Sequence, residues 1–163
     1  MLREVDLIAC EDTRRTRALL SHFDIHTPTV SYFEHNKLAR GPQLLRRLTE
    51  GASVALVTDA GTPGISDPGF LLVRDARAAG IDVVPVPGPS AVVTALSGAG
   101  VPADRFVFDG FLPVKPGKRL NRLKALRELE TTIVLYESPH RIVAALGRSP
   151  RSSARPRSSS RGS

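Results

Sequence analysis

The 163-residue sequence contains a single cysteine, no tryptophan and few other aromatic residues. One thiol, that of Cys10, excludes a disulfide within the chain and is typical of proteins from a reducing compartment. No apolar run approaches the length that spans a bilayer, and the first residues lack a signal-peptide pattern. These absences predict a cytoplasmic protein without a membrane partner.

Two common classes of ligand-binding motif are also missing. The sequence has neither a Walker phosphate loop nor the Gly-x-Gly-x-x-Gly pattern of dinucleotide-binding proteins. No histidine stands in a spacing typical of a metal site. The four are His22, His26, His35 and His140. We therefore expect no bound metal.

The net charge of +7 is distributed unevenly along the chain. Residues 147–163 carry five arginines and no acid, whereas residues 1–146 have 18 basic and 16 acidic side chains. The same 17 residues include seven serines and no Leu, Ile, Val or aromatic residue. Such a composition cannot bury enough apolar surface to offset its ordering entropy, so a disordered tail is predicted over 147–163. The nearly balanced remainder is weak evidence for a nucleic-acid partner.

Short apolar runs alternate with amphipathic stretches through the rest of the chain. The runs predict strands at 7–10, 29–33, 53–58, 82–86, 105–108 and 131–136. Helices are expected to begin at Thr13, Pro42, Pro68, Ala91, Lys118 and Pro139. This alternation predicts an α/β protein with a mostly parallel sheet and helices on both faces. Residues 101–104 read as a linker between a first domain, 1–104, and the beginning of a second α/β domain, 105–146.

The loop over residues 59–69 is the part of the sequence with the clearest functional signal. It contains three glycines, two prolines and two aspartates, and it separates a buried strand from a helix capped by Asp67. Connections in α/β units usually have about 2–6 residues, so a longer Gly- and Pro-rich loop indicates a binding role rather than a simple turn. A second rich turn, 87–90, precedes the helix at Ala91. Both lie at the carboxyl ends of strands, where ligands bind in open α/β sheets.

These loops resemble those of the tetrapyrrole methylase superfamily. The resemblance rests on Val57 to Gly69 and Val84 to Ala91. Within the superfamily, the motifs at 10–14, 34–36, 110–113 and 136–141 are similar to those of bacterial 16S rRNA cytidine 2′-O-methyltransferases. The resemblance covers residue 4 to about residue 146. It implies that the superfamily's first strand and much of its second domain lie outside this chain.

The resemblance implies S-adenosylmethionine as methyl donor and 16S rRNA of the small ribosomal subunit as acceptor, with no DNA partner and with a homodimeric assembly. Thr62 stands where relatives often have Asp. Tyr136, at a strand end of the second domain, is expected to contact the donor from across the cleft. The full set of expected donor contacts is Asp59, Gly61, Thr62, Pro63, Ile65, Ser90, Ala91 and Tyr136.

Three side chains beside predicted strand ends are candidates for the base that removes the ribose hydroxyl proton, namely Glu11, His35 and Glu137. The sequence does not choose among them. Phosphate contacts are assigned to Arg14, Arg15, Lys115, Lys118 and Arg141. Arg14, Arg15 and Arg17 crowd the first turns of a helix, where phosphates, neighbouring acids or solvent would each favour them.

Two alternatives to an RNA 2′-O-methyltransferase remain at this stage. One is a methylase of the same superfamily that acts on a small tetrapyrrole-like substrate. The other is an inactive truncated fragment. Motifs 11–14 and 137–141 argue against the small-molecule alternative, because they belong to the RNA branch.

Overall fold

The computed structural model describes residues 1–146 and divides into two compact units, with the boundary between Asp104 and Arg105. The prediction of a disordered tail over 147–163 lies outside the described residues. The first unit comprises β1 (Leu7–Cys10), α1 (Thr13–His22), β2 (Thr29–Ser31), α2 (Lys37–Thr49), β3 (Val54–Val57), α3 (Gly69–Ala78) and α4 (Ala91–Ala99). The second comprises β4 (Phe106–Phe111), α5 (Pro116–Arg127), β5 (Thr132–Tyr136) and α6 (Ile142–Leu146).

The first unit is built on a parallel sheet with strand order β2-β1-β3. All four residues of β1 are buried, because this strand has a neighbour on each side and helices on both faces. Leu7 and Ala9 pack on one face with apolar residues of α2 and α3, while Ile8 and Cys10 pack on the other with Leu20 of α1. The predicted α/β class and parallel sheet are confirmed.

Cys10 illustrates how completely β1 is enclosed. Its side chain is fully buried, and its thiol lies 3.6 Å from the carbonyl oxygen of Val30 on the neighbouring strand. Burial raises the pKa of the Cys10 thiol. The low thiolate fraction and the lack of access predict an unreactive cysteine.

Helix α2 begins earlier than the sequence predicted. The expected start was Pro42, but the helix begins at Lys37 and contains Pro42 in its interior. Asn36 explains the difference: its Oδ1 accepts from the Phe33 N–H at 2.8 Å, and its Nδ2 donates to the Ser31 carbonyl at 3.1 Å. These bonds fold the chain back at the end of β2, so the helix starts at once. Pro42 then removes one helical hydrogen bond.

The strand predicted over 82–86 is absent from the described residues. Val84 and Val86 are 76% and 58% exposed, and the segment forms no ladder with β3 or with another described strand. Apolar periodicity alone cannot make a strand, because a strand needs a hydrogen-bonding neighbour. Pro85 and Pro87 also remove two donors that a ladder would use.

The second unit contains the parallel pair β4-β5, joined by α5. Helix α5 begins at Pro116 rather than at the predicted Lys118, in keeping with the preference of proline for the first helical position. Leu126 is buried, whereas Leu120 is 51% exposed. Arg122 anchors the helix to β4 through Asp109, with its Nε 2.8 Å from Oδ2.

Within residues 1–146, no helix is long and apolar enough to cross a membrane. The same residues contain no group of three or more His, Cys, Asp or Glu side chains placed to hold a metal ion.

Candidate functional site

The candidate site is organised by residues 58–69, which we call the strand-end loop, between β3 and α3. Gly61 and Gly64 have positive φ angles of 79° and 84°, and Ser66 has a φ of 57°. A non-glycine residue in the left-handed region is uncommon and must be held there by its surroundings. The surrounding residues therefore hold the backbone of this loop in a specific conformation, which a simple connecting turn would not require.

Asp67 holds the loop in this shape with both of its carboxylate oxygens. Oδ1 accepts hydrogen bonds from the backbone N–H groups of Gly64 at 3.1 Å and Gly69 at 2.8 Å. Oδ2 accepts from the hydroxyl of Thr58 at 2.7 Å. One side chain thus ties together the beginning, middle and end of the loop. The bond to Gly69 satisfies the first N–H of α3, as expected of a capping aspartate, although α3 begins one residue later than the predicted Pro68.

Close packing around Gly69 fixes the loop from the other side. A Cβ atom at this position would lie 2.9 Å from the Gly64 nitrogen and 2.9 Å from Cδ2 of Leu56. Only glycine therefore fits here without a shift of the backbone. Tyr32, which is 2% exposed, adds a hydroxyl 3.4 Å from the carbonyl oxygen of Pro68, and burial raises the pKa of this tyrosine.

Glu11 lies beside the strand-end loop. It follows β1 directly, and its Oε2 is 3.1 Å from the hydroxyl oxygen of Thr58. That hydroxyl has one proton and faces two carboxylates, so it donates to only one at a time. The shorter distance, 2.7 Å, is to Asp67. Oε2 of Glu11 is therefore the second, more distant acceptor available to the Thr58 hydroxyl.

Asp59 links the loop to the first turn of α1. Its Oδ1 lies 3.3 Å from the backbone nitrogen of Asp12, and its Oδ2 is 3.2 Å from the guanidinium of Arg15. Asp12 caps the helix and also binds Arg14 through both carboxylate oxygens, at 3.1 and 2.8 Å. The hydrogen bond from the Arg14 side chain lowers the pKa of Asp12 to about 2. Arg14 and Arg15, which were assigned to phosphate contacts, are thus ion-paired.

The remaining predicted residues of the loop are accessible. Gly61 and Thr62 are exposed, Pro63 is half-buried, and Ile65 is 52% exposed. The Ile65 N–H donates to the Thr62 carbonyl at 3.1 Å, which closes a tight turn at the tip. The loop therefore directs its hydrogen-bonded side inward at Asp67 and presents its tip outward.

Three other predicted residues of the first unit lie outside this network. Ser90 is the N-cap of α4, where its carbonyl accepts from Thr94, and Ala91 is the first residue of that helix. His35 is exposed in the turn after β2, with its ring centroid 6.1 Å from that of Phe33. No hydrogen bond within the described residues joins any of the three to the strand-end loop.

The five predicted site residues of the second unit fall into three groups: an ion pair, an aromatic contact and two exposed lysines. Glu137 and Arg141 form an ion pair of 2.6 Å through Oε1, and Glu137 Oε2 is buried without a hydrogen-bond partner among the described residues. Tyr136 ends β5 and makes edge-to-face contacts with Phe108 and Phe111. Lys115 and Lys118 are exposed at the start of α5.

Sequence reasoning missed the most connected parts of the site. It gave Asp67 only a capping role and gave Thr58 no role beyond the end of a strand. The pattern Asp-Pro-Gly does signal a helix start, but nothing local indicates that Gly64 and Thr58 turn back toward the same carboxylate. Those bonds depend on the left-handed backbone at Gly64 and Ser66.

Comparison with known protein families gives a match over most of the chain, including the candidate site. Residues 1–155 match the family of tetrapyrrole (corrin/porphyrin) methylases. The match includes β1 to β3, the strand-end loop and the second unit.

Individual relatives are similar over most of the chain. It is 53% identical over 146 residues to ribosomal RNA small subunit methyltransferase I of Pseudomonas aeruginosa, with 90% of this chain and 52% of that protein covered. The proteins of the same name from Xylella fastidiosa and Escherichia coli O157:H7 are 54% and 51% identical over 146 residues, covering 90% of this chain and 54% and 51% of those proteins. The chain thus spans about half the length of the curated relatives it matches.

Proposed function

We propose, because this chain belongs to the tetrapyrrole methylase family, that it is a portion of an S-adenosylmethionine-dependent methyltransferase that modifies the ribose 2′-oxygen of a cytidine in 16S rRNA. The observation that carries this proposal is identity of 51–54% to three relatives that are all named ribosomal RNA small subunit methyltransferase I. Those names favour RNA over a tetrapyrrole as the acceptor.

The residues of the strand-end loop fit the proposed methyl donor. Apart from its chain neighbours, no atom lies within 4 Å of the point that a Cβ on Gly61 would occupy, so a ligand can approach the backbone closely. Thr62 contributes a hydroxyl and backbone groups, and the exposed Ile65 contributes apolar surface. We propose that Asp59, Gly61, Thr62, Pro63 and Ile65 hold the donor, together with Ser90, Ala91 and Tyr136. When bound, S-adenosylmethionine supplies an electrophilic methyl group.

Glu11 is our choice among the three candidate bases. A base must take the proton of the ribose hydroxyl and keep it. Protonated Glu11 can donate to the Thr58 oxygen at 3.1 Å, and Thr58 can donate onward to Asp67. His35 has no such partner among the described residues, and Oε1 of Glu137 is occupied by Arg141. Positioning by the rigid loop would supply much of the remaining rate enhancement.

Partners, assembly and location follow from the same proposal. We propose that Lys115 and Lys118 contact phosphates directly, because both are exposed, whereas Arg14, Arg15 and Arg141 would need to leave their carboxylate partners. We propose a cytoplasmic location, because a small-subunit rRNA substrate is found there. We further propose a homodimer, which size-exclusion chromatography with light scattering would test.

Residues 1–104 would form the methylase domain that binds the donor, and residues from 105 would begin a second domain.

The test is donor binding to the purified chain by calorimetry, with Thr62→Arg as the blocking variant. We expect saturable binding by the chain and its loss in the variant, because a long cation at the tip would fill the donor site. Thr49→Arg, at an exposed threonine at the end of α2, is the matched control and should bind normally. Absence of binding by a folded chain, or equal binding by Thr62→Arg, would contradict the assigned site.

Acceptor identity needs a second measurement. Transfer of labelled methyl groups to bacterial small-subunit rRNA, and not to a porphyrinoid, is the expected result. Transfer to the porphyrinoid alone would replace the RNA proposal with the small-molecule alternative.

A further inference from the structure

The outer edge of β2 carries two adjoining hollows, of about 380 and 300 Å³, which share Pro28 and Thr29. We call their combined lining the edge groove. It runs from α1, which contributes Arg17, across the edge strand to α2, which contributes Arg40 and Arg47. The groove is separate from the strand-end loop, with which it shares no residue.

The charge of the edge groove is positive without any acidic residue in its lining. Arg17, Arg40 and Arg47 contribute the cations. Residues 1–104 as a whole have 10 basic and 12 acidic side chains, a net charge of −2. The groove is thus a local positive region on an acidic unit, and the overall composition of the unit does not account for it.

Two of these arginines are oriented without being neutralised. Arg17 Nε donates to the Thr29 hydroxyl at 3.2 Å, and Arg40 donates to the side-chain oxygen of Gln43 at 2.9 Å. A hydroxyl and an amide accept a hydrogen bond but carry no charge. Within residues 1–146, no carboxylate forms an ion pair with Arg17, Arg40 or Arg47.

The edge strand itself offers further hydrogen-bonding groups. Residues Thr29–Ser31 pair with β1 on one side, and among the described residues no strand pairs with β2 on the other. The outward backbone groups of an edge strand that lies between the oriented guanidinium groups of Arg17 and Arg40 suit an extended polyanion. Arginine binds phosphate through two parallel N–H donors, so it can take a phosphate without a matching cavity.

We propose that the edge groove binds the phosphate backbone of the RNA substrate, through Arg17, Arg40 and Arg47. This inference rests on the proposed function only for the identity of the polyanion as RNA. It assigns a substrate-holding surface away from the strand-end loop. Contacts of this kind position an RNA without reading its sequence.

The experiment measures RNA affinity as a function of salt. The probe is a fluorescein-labelled single-stranded RNA of about 20 nucleotides and mixed sequence, followed by anisotropy between about 50 and 200 mM salt. The variants are Arg17→Gln, Arg40→Gln, Arg47→Gln and their combination, each in the full chain. Each lost phosphate contact should lower the slope of log affinity against log salt by about 0.7, or about fivefold in affinity near 0.1 M salt.

Arg46→Gln is the matched control. Arg46 neighbours Arg47 on α2, is exposed, and does not line the groove. We expect Arg46→Gln to change RNA affinity only slightly. A general effect of net charge would instead weaken binding equally in Arg46→Gln and Arg47→Gln. Thermal unfolding of each single variant confirms folding before its affinity is interpreted.

Each result decides the proposal. Retained affinity in the combined variant, equal losses in Arg46→Gln and Arg47→Gln, or no RNA binding by the unmodified chain would each overturn it. The first result would leave the β2 edge open to another partner, such as an added peptide strand. Donor binding, which depends on Thr62 and not on the groove, separates failure of this inference from failure of the proposed function.

Discussion

The strand-end loop and the edge groove are both polar regions of the first unit, but they use their polar groups differently. In the loop, Asp67 accepts from two backbone N–H groups and one hydroxyl, and Asp59 accepts from α1 and Arg15. In the groove, Arg17 and Arg40 are held only by neutral acceptors. In the loop, the charged side chains of Asp59 and Asp67 hold the chain in shape. In the groove, the charges of Arg17 and Arg40 are not neutralised by a carboxylate of the described residues.

This difference is what we expect if the loop holds the proposed methyl donor and the groove binds RNA. A loop that must hold a small ligand needs fixed geometry, which internal hydrogen bonds provide while they reduce the accessible charge. A surface that binds a polymer needs charge that is oriented but not satisfied. The comparison predicts that substitutions in the loop will affect stability strongly, while those in the groove will affect partner binding and leave stability nearly unchanged.

Asp67→Ala should give the largest effect. It removes the acceptor of three hydrogen bonds, each worth about 1 kcal/mol, so we expect a loss of about 3 kcal/mol in the free energy of unfolding. Urea denaturation measures the change. Donor affinity should fall as well, because the tip of the loop would lose its fixed shape.

Two further variants test whether the loss of stability in Asp67→Ala comes from its hydrogen bonds in the loop. Asp67→Asn keeps Oδ1 as an acceptor and can donate to Thr58 from its amide, so it should recover most of the lost stability. Arg40→Gln, in the groove, gives up only its bond to Gln43 and should change stability by less than about 0.5 kcal/mol. Equal destabilisation by Asp67→Ala and Arg40→Gln would remove the distinction between the two regions.

Gly69→Ala should have an intermediate effect. The added methyl group would meet the Gly64 nitrogen and Leu56 at 2.9 Å, and overpacking of this kind costs about 2 kcal/mol. Because the clash involves backbone, it should move the loop and weaken donor binding. Calorimetric unfolding and donor titration on the same sample measure both.

Gly98→Ala provides the control for added volume. A Cβ at Gly98, inside α4, would meet nothing within 4 Å beyond the helix itself. This variant should be neutral or more stable by about 0.5–1 kcal/mol, because alanine favours the helix. If Gly69→Ala were as stable as Gly98→Ala, the close packing assigned to the loop would be wrong.

Asp12→Asn should give the smallest effect, and one that depends on pH. Hydrogen bonding from Arg14 lowers the pKa of Asp12 from an ordinary 3.8 to about 2, so the ionised carboxylate stabilises the folded state above pH 4. That contribution is lost as the pH falls from about 4 to 2. Asparagine retains the capping oxygen but has no charge to titrate.

The measurement is urea denaturation of the two proteins at several pH values. Their difference in unfolding free energy should be constant near neutral pH and should shrink between pH 4 and 2. Added salt should reduce it, since the pair is exposed. A difference that persists unchanged at pH 2 would mean that the Asp12 charge does not stabilise the first turn of α1.

Local signals predicted a large part of this structure. Strand β1 was found at its observed bounds, because a short apolar run covered on two faces has few alternatives. Asp67 was predicted to cap α3, and its side chain does accept from the Gly69 N–H, although Pro68 occupies the N-cap position. The start of α2 was missed because Asn36 bonds back to β2, and the strand at 82–86 was wrong because a strand requires a neighbour.

For the candidate site, the sequence singled out the loop over 59–69 but did not predict the hydrogen bonds that hold it in shape. It placed Glu11 and Asp59 at the ends of separate strands and gave them different roles, and the parallel order β2-β1-β3 brings those ends together. The joint attachment of Thr58, Gly64 and Gly69 to Asp67 could not be read from the sequence, because it depends on left-handed backbone within the loop.

The sequence alone determined the α/β class, the position of β1 and the location of the candidate loop, because hydrophobic periodicity, caps and Gly-Pro density act over a few neighbouring residues. Only the tertiary structure decided which charges are satisfied. Arg14 and Arg17 look alike in the sequence, yet one is paired with Asp12 and the other faces an edge groove beside Thr29. The direction and partners of a long flexible side chain depend on the elements packed around it, and those contacts are set by the fold.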